Sequence, residues 1–222
     1  MQSEQSSEEV KKLLDYLGQR LFHIENFYLI YSELGLHYNK AVNPDSSKAY
    51  LEIINSHKGF FMPIQEALRA TLTVELNTFI VSKDFKSLRR AIELLKDIES
   101  GVDLTAEYEN LKEKNGNVLK HIEEFRKKYY AHKTSADLSK LRSASDKEYQ
   151  ELFEAIKELL NKAHGHFGKA NWYMEGDSRE SIKDTHDLMN CLLRGESQRL
   201  SEINVEYISS IYESGKRNWM KT

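Results

Sequence analysis

Ser7-Glu8-Glu9-Val10-Lys11-Lys12-Leu13-Leu14-Asp15-Tyr16-Leu17-Gly18-Gln19-Arg20-Leu21-Phe22-His23-Ile24 is the stretch on which the fold class turns. Its apolar residues Val10, Leu13, Leu14, Leu17, Leu21 and Ile24 step by three and four, which on a helix makes a single stripe. Ser6 or Ser7 suits an N-cap, and Glu8 and Glu9 follow where the helix dipole favours negative charge. The pattern predicts a helix running to about Tyr38.

The same period returns along most of the chain. Asn43-Pro44-Asp45-Ser46 reads as a turn, because proline pushes its predecessor out of the helical region. A helical region follows from Ser47 to Val81. Pro63 is expected to break it into a shorter helix and a long one from Pro63 to Val81. Asp84 is the expected cap of a helix carrying Leu88, Ile92, Leu95 and Ile98, which Gly101 ends. One further helix is expected from Asp103 or Thr105 to His132, passing through Gly116. Residues 133–145 read as a loop. Ser145 or Asp146 caps a helix with Leu152, Phe153, Ile156, Leu159 and Leu160, ending near Gly165 or Gly168. After an irregular stretch to Arg179, a last helical segment reaches Tyr212, with Gly195 as the point where it can divide. No alternating strand pattern and no fixed repeat occurs. The expectation is all-α: an up-and-down helical bundle over residues 1–168, with a C-terminal helical extension over 169–222 that packs on the bundle or on a dimer.

Composition narrows the function classes. The chain has 222 residues, 40% hydrophobic and 30% charged, which suits one large globular domain. No apolar run approaches the roughly 18 residues of a membrane span. The opening MQSEQSSEEVKK is polar and acidic, so no secretion signal is expected and the cytoplasm is the expected compartment. Lys and Arg number 32 against 35 Asp and Glu, a net charge of −3. An overall basic coat is absent, although Arg126, Lys127, Lys128, Lys133, Lys140 and Arg142 can form a local patch.

Cys191 stands alone, which excludes a disulfide framework and every multi-cysteine metal site. Among Leu188, Met189 and Leu192 it reads as a small core residue. None of the eight histidines lies in a His-Glu-x-x-His frame. His164-Gly165-His166 reads as a half-exposed pair at a helix terminus. The glycine-rich phosphate loops are missing too. Neither a metal nor a cofactor is expected.

The informative segment is Phe125-Arg126-Lys127-Lys128-Tyr129-Tyr130-Ala131-His132-Lys133-Thr134. An arginine followed by five residues and a histidine, with Ala-His closing a helix, resembles the Arg-x(4–6)-His signature of the HEPN superfamily of nucleotide-binding helical bundles. The wording is closest to its abortive-infection U-type subfamily. Upstream, Leu68-Arg69-Ala70-Thr71-Leu72-Thr73-Val74-Glu75-Leu76-Asn77-Thr78-Phe79, followed by Lys83-Asp84 and Ser87-Leu88, resembles the central helix pair of that subfamily. The resemblance spans about Tyr38 to Gly165.

The resemblance implies a metal-independent endoribonuclease serving as a toxin or phage-defence effector. Its active site forms where two copies of the chain meet, so the implied partners are a second copy, RNA, and an antitoxin or regulator. Carried over, Arg126 holds the scissile phosphate. His132 is the general base on the ribose 2′-hydroxyl, or the acid on the leaving 5′-oxygen. Lys127, Lys128, Tyr129 and Tyr130 bind or flank the substrate. The residue types suit the work: histidine exchanges a proton near neutral pH, and arginine stays cationic while gripping phosphate.

Six residues at about 100° each set His132 roughly 120° around the helix from Arg126. Either the helix ends before His132, or a partner chain supplies the complementary residue. Lys127 stands where nuclease members of the family often carry Asn, Asp or His; it can reach a phosphate but cannot accept a hydrogen bond. The rival reading is a non-catalytic helical module that uses the same surface to bind a protein or nucleotide.

Overall fold

The structure is a computed structural model that describes residues 2–36, 44–82, 84–99, 101–127, 144–168 and 178–202. Among these residues it is all-helical, with no strand. In chain order the helices are α1 (Gln2–Leu36), α2 (Pro44–Ser56), α3 (Lys58–Leu76), α4 (Leu88–Asp97), α5 (Thr105–Lys114), α6 (Gly116–Phe125), α7 (Asp146–Gly165) and α8 (Ser178–Glu202); a π-helical turn (Asn77–Val81) continues α3.

The stripe that decided the fold class is the axis of the main core. Val10, Leu14, Leu17, Leu21, Ile24 and Tyr28 of α1 are all buried. They belong to one cluster with Leu72 and Leu76 of α3, Phe79 and Ile80 of the π turn, Leu95 of α4, Leu111 of α5, Ile122 of α6 and Phe153 of α7. A second, smaller core gathers Leu34 from the end of α1, Tyr50, Ile53 and Ile54 of α2, Phe61 of α3 and Met189 of α8. It fixes α8 against α1 and α2. Two polar contacts reinforce that docking: His186 lies 2.5 Å from Glu33 of α1, and Glu196 lies 3.7 Å from His57.

Several boundaries differ from the expected ones. The break between α2 and α3 falls at His57, with φ −115° and ψ 32°, and Pro63 sits inside α3. A proline ring collides with the carbonyl four residues back. Here that residue is Gly59, which is exposed in the first turn of α3, with nothing from the rest of the bundle within 4 Å of where its Cβ would be.

The single helix expected from Thr105 onward is two, divided at Asn115 with φ −101° and ψ 18°. Asn115 is buried, and its side-chain amide donates to the Leu111 carbonyl at 2.9 Å. The Asn115 backbone amide donates to the same carbonyl at 3.1 Å, so side chain and main chain together close the end of α5. Gly116 therefore opens α6 instead of weakening a longer helix.

The cap of α4 is Ser87, whose hydroxyl accepts from the Arg90 amide at 3.3 Å. Asp84 lies one turn earlier, with its carbonyl accepting from the Ser87 hydroxyl at 2.7 Å. Gly101 does end this region, and its amide donates to the Ile98 carbonyl at 2.9 Å. A Cβ there would fall 1.9 Å from the Leu95 carbonyl oxygen, so only glycine fits. Ser145 caps α7 as a full capping box, accepting from the Glu148 amide while the Glu148 carboxylate accepts from the Ser145 amide at 2.8 Å. Gly195 lies within α8 and does not divide it.

Candidate functional site

α6 carries the segment singled out in the sequence. Val118, Leu119, Ile122 and Phe125 are its buried face. Arg126 prolongs the helical backbone at φ −57° and ψ −49°, and Arg126 and Lys127 are π-helical. Both side chains are exposed. Lys127 pairs with Glu123 one turn back, a solvent-facing pair of the sort worth a few tenths of a kcal/mol. Arg126 makes no ion pair or side-chain hydrogen bond with any described residue. Lys128, Tyr129, Tyr130 and His132 lie outside the described residues, as do Lys133, Lys140 and Arg142 of the expected basic patch.

Directly inside Arg126, Phe125 turns toward the bundle and forms one wall of a cleft. This cavity of about 220 Å³ lies among α1, α3, α6 and the start of α7. The Arg69 guanidinium sits over the Phe125 ring, 4.9 Å from its centre, and pairs with Glu66 on the preceding turn. The His121 ring lies 5.3 Å from Phe125. Tyr31 and Tyr149 supply further aromatic lining.

At the other side of the cleft is Asp146, the first residue of α7. Its Oδ1 accepts from the hydroxyls of Tyr28 and Ser32, both at 3.3 Å, and its carbonyl accepts from Tyr28 at 3.1 Å. Burial, with the Asp146 charge beside it, holds the Tyr28 phenol well above its ordinary pKa, so it stays a donor. Burial also raises Tyr31, against the opposing pull of Arg69. The cleft is thus a short aromatic slot with a cation on one wall and a carboxylate on another.

A second depression of about 530 Å³ lies along α1, α3 and the π turn, and its charges are used internally. Arg20 donates from Nε to Glu75 at 2.7 Å, from Nη2 to Thr78 at 2.5 Å and from Nη1 to the Lys86 carbonyl at 3.2 Å. Lys86 lies over the Tyr16 and Phe85 rings.

The remaining histidines do not converge. His164 is fully buried in the last turn of α7, 3.8 Å from Asp15, whereas His166 is part-exposed against Phe167. The two are therefore not the half-exposed pair that was expected. Among the described residues, no group of three or more His, Cys, Asp or Glu side chains is arranged to hold a metal ion. Cys191 is exposed and not in the core. It follows the buried Met189 by two residues, about 200° around α8.

Arg69 and His121 carried no role in the sequence reading, yet both break an apolar stripe. Arg69 stands three residues before buried Leu72, and His121 stands between Val118 and Phe125 on the inward face of α6. A charged residue in core register is the signal that could have found the cleft.

No family model, curated protein or solved structure matches the chain. Among the described residues, no helix is long and apolar enough to cross a membrane.

Proposed function

We propose that this chain is a HEPN-type, metal-independent endoribonuclease that works as a homodimer in the cytoplasm, as a toxin or phage-defence effector under the control of an antitoxin or regulator. The chemistry rests on the wording Phe125 to Thr134. The structural observation that carries it is Arg126, exposed at the end of a helix whose other face is buried and making no ion pair with a described residue. An arginine that stabilised the fold would be engaged, as Arg20 is.

In the proposed reaction His132 takes the proton of the ribose 2′-hydroxyl. The 2′-oxygen attacks the adjacent phosphorus, and the bond to the 5′-oxygen breaks. Arg126 neutralises the charge that builds on the phosphate oxygens. The leaving 5′-oxygen receives a proton from the histidine of the second copy, and the other product carries a 2′,3′-cyclic phosphate.

A set of RNA oligonucleotides incubated with excess chelator tests this reading. Cleavage should persist without divalent ions and stop at any position bearing a 2′-deoxy sugar. Cleavage of the deoxy position would mean that the 2′-hydroxyl is not the nucleophile.

The Lys127–Glu123 pair favours a second reading. It places a structural contact at the position beside the arginine, as suits a helical module that binds a protein or nucleotide without cutting. Saturable RNA binding without cleavage is its expected signature.

A further inference from the structure

Two cores divide the bundle unequally. Among the described residues, the main core draws on α1, α3 to α7 and the π turn, and on no side chain of α8. The smaller core holds α8, with Met189 fully buried and Leu192 and Leu193 partly buried against it. Polar groups make up much of the remaining seam. The Ser181 hydroxyl donates to the Asn26 side chain at 3.0 Å, and the Tyr50 hydroxyl donates to the Asn190 side chain at 2.5 Å. His186 pairs with Glu33, and Glu196 with His57. Elements with few buried apolar contacts open locally, at a free energy below that of global unfolding.

One group at this seam works against closure. The Glu33 side chain is 8% exposed beside α8, and a carboxylate taken out of water needs a cation next to it. His186, itself 43% exposed, is that partner. Burial raises the Glu33 pKa above its ordinary value, and the His186 charge opposes the rise. On α2, burial and then the Glu33 charge raise the Tyr50 phenol, so that ring brings no charge of its own. On α8, Lys183, Asp184 and Asp187 are exposed. Both seam pairs set an imidazole against a carboxylate, and imidazole is the side chain that ordinarily changes charge between pH 5 and 8.

We propose that α8 is a proton-sensitive strap: it closes on α1 and α2 through the Glu33–His186 pair and opens while the main core stays folded. Opening returns Glu33 to water and uncovers Leu34, Ile53, Ile54 and Phe61. Burial opposes the charge, so the closed form keeps a proton on Glu33 that the open form releases. Closure is therefore most favourable below the ordinary glutamate pKa of about 4.3 and weakens as pH rises through the raised value. Loss of imidazolium charge toward alkaline pH acts in the same sense, because it leaves the buried carboxylate facing a neutral ring.

Hydrogen exchange of the full chain, read by mass spectrometry as protection factors at pH 5, 6.5 and 8, tests the strap. At pH 8, α8 should be at least roughly tenfold less protected than α7, which lies in the main core. Its protection should rise several-fold from pH 8 to pH 5, within the limit of about tenfold per pH unit that one proton sets. Protection of α7 should change much less. Glu33→Gln keeps the size of the side chain and removes its charge. It should raise α8 protection several-fold at pH 8 and flatten the pH profile. His186→Ala should lower α8 protection at pH 8 by roughly tenfold, with recovery toward the wild type at pH 5.

Equal protection of α8 and α7 at every pH would overturn the strap. So would α8 protection that does not respond to pH, or a Glu33→Gln chain whose α8 is less protected than in the wild type.

Discussion

Arg20 and Arg126 follow runs of core residues on α1 and α6, and their surroundings differ in every respect. Arg20 is locked between Glu75, Thr78 and the Lys86 carbonyl, with its side chain 16% exposed and its guanidinium 5.8 Å from the centre of the Phe79 ring. Arg126 is exposed and makes no such contact among the described residues. The first ties three parts of the bundle together. The second follows Phe125, which lines a cleft among α1, α3, α6 and the start of α7. The difference, one arginine engaged by the bundle and the other exposed to solvent, is one that residue type alone does not reveal.

The region around Arg20 is the place to see the largest stability effects. Phe79 is fully buried in the main core beneath Arg20. Phe79→Ala should lower unfolding free energy in urea by about 3–5 kcal/mol, as lost burial and a new cavity add. Arg20→Ala should cost about 2–3 kcal/mol, because it leaves a part-buried Glu75 unpaired and removes charge-assisted hydrogen bonds. A loss under 0.5 kcal/mol would show that the Arg20 network is incidental.

Tyr108 gives a smaller and pH-dependent effect. Its hydroxyl donates to the Ile80 carbonyl at 2.7 Å, anchoring the π turn to α5. Tyr108→Phe should cost about 1 kcal/mol at neutral pH. Burial, with Glu109 nearby, pushes the phenol pKa up to about 12, above its unfolded value near 10. The folded state then holds the proton that the unfolded state releases, so this contribution is complete below pH 10 and declines from pH 10 to 12. Tyr28, also raised, acts in the same sense. Alkaline melting curves of Tyr108→Phe should fall less steeply with pH than those of the wild type.

The smallest effect on stability belongs to the α6 end. Lys127→Asn removes only the exposed pair with Glu123 and should change unfolding free energy by less than about 0.5 kcal/mol. Asparagine can accept a hydrogen bond where lysine cannot, so cleavage should rise several-fold in a gel assay at equal protein concentration. Unchanged or reduced cleavage would show that the lysine is not what limits the site.

The fold class was legible because burial enforces period. Val10 to Ile24 step by three and four whatever the loops do, and all but Leu13 in that stripe are buried core residues. The cap at the start of α7, read as Ser145 or Asp146 and found at Ser145, and the stop at Gly101 were legible as local chemistry, since each acts through neighbours in sequence. Pro63, Asn115 and Cys191 were not. Pro63 is carried inside α3, one turn after an exposed Gly59, and the α5–α6 break falls where the Asn115 side chain bonds the Leu111 carbonyl. Cys191 depended on which side of α8 meets α2.

Arg126 and Lys127 were read from a motif, and their exposure could not be. The cleft was missed because its parts come from Tyr31, Arg69, His121 and Asp146, far apart in the chain and joined only by packing. Its traces were a charge and an imidazole in positions where the period calls for apolar residues.

The account rests on Arg126 acting on RNA and not on the fold. Single-turnover cleavage of an RNA oligonucleotide in chelator, measured beside thermal melting for the wild type, Arg126→Ala and His132→Ala, tests this most directly. The account predicts 2′,3′-cyclic phosphate ends from the wild type and a loss of roughly 10²–10³-fold in Arg126→Ala. His132→Ala should lose roughly 10²–10⁴-fold, and the melting temperature of Arg126→Ala should match that of the wild type. Cleavage equal in all three proteins, or an Arg126→Ala chain that melts well below the wild type, would contradict it.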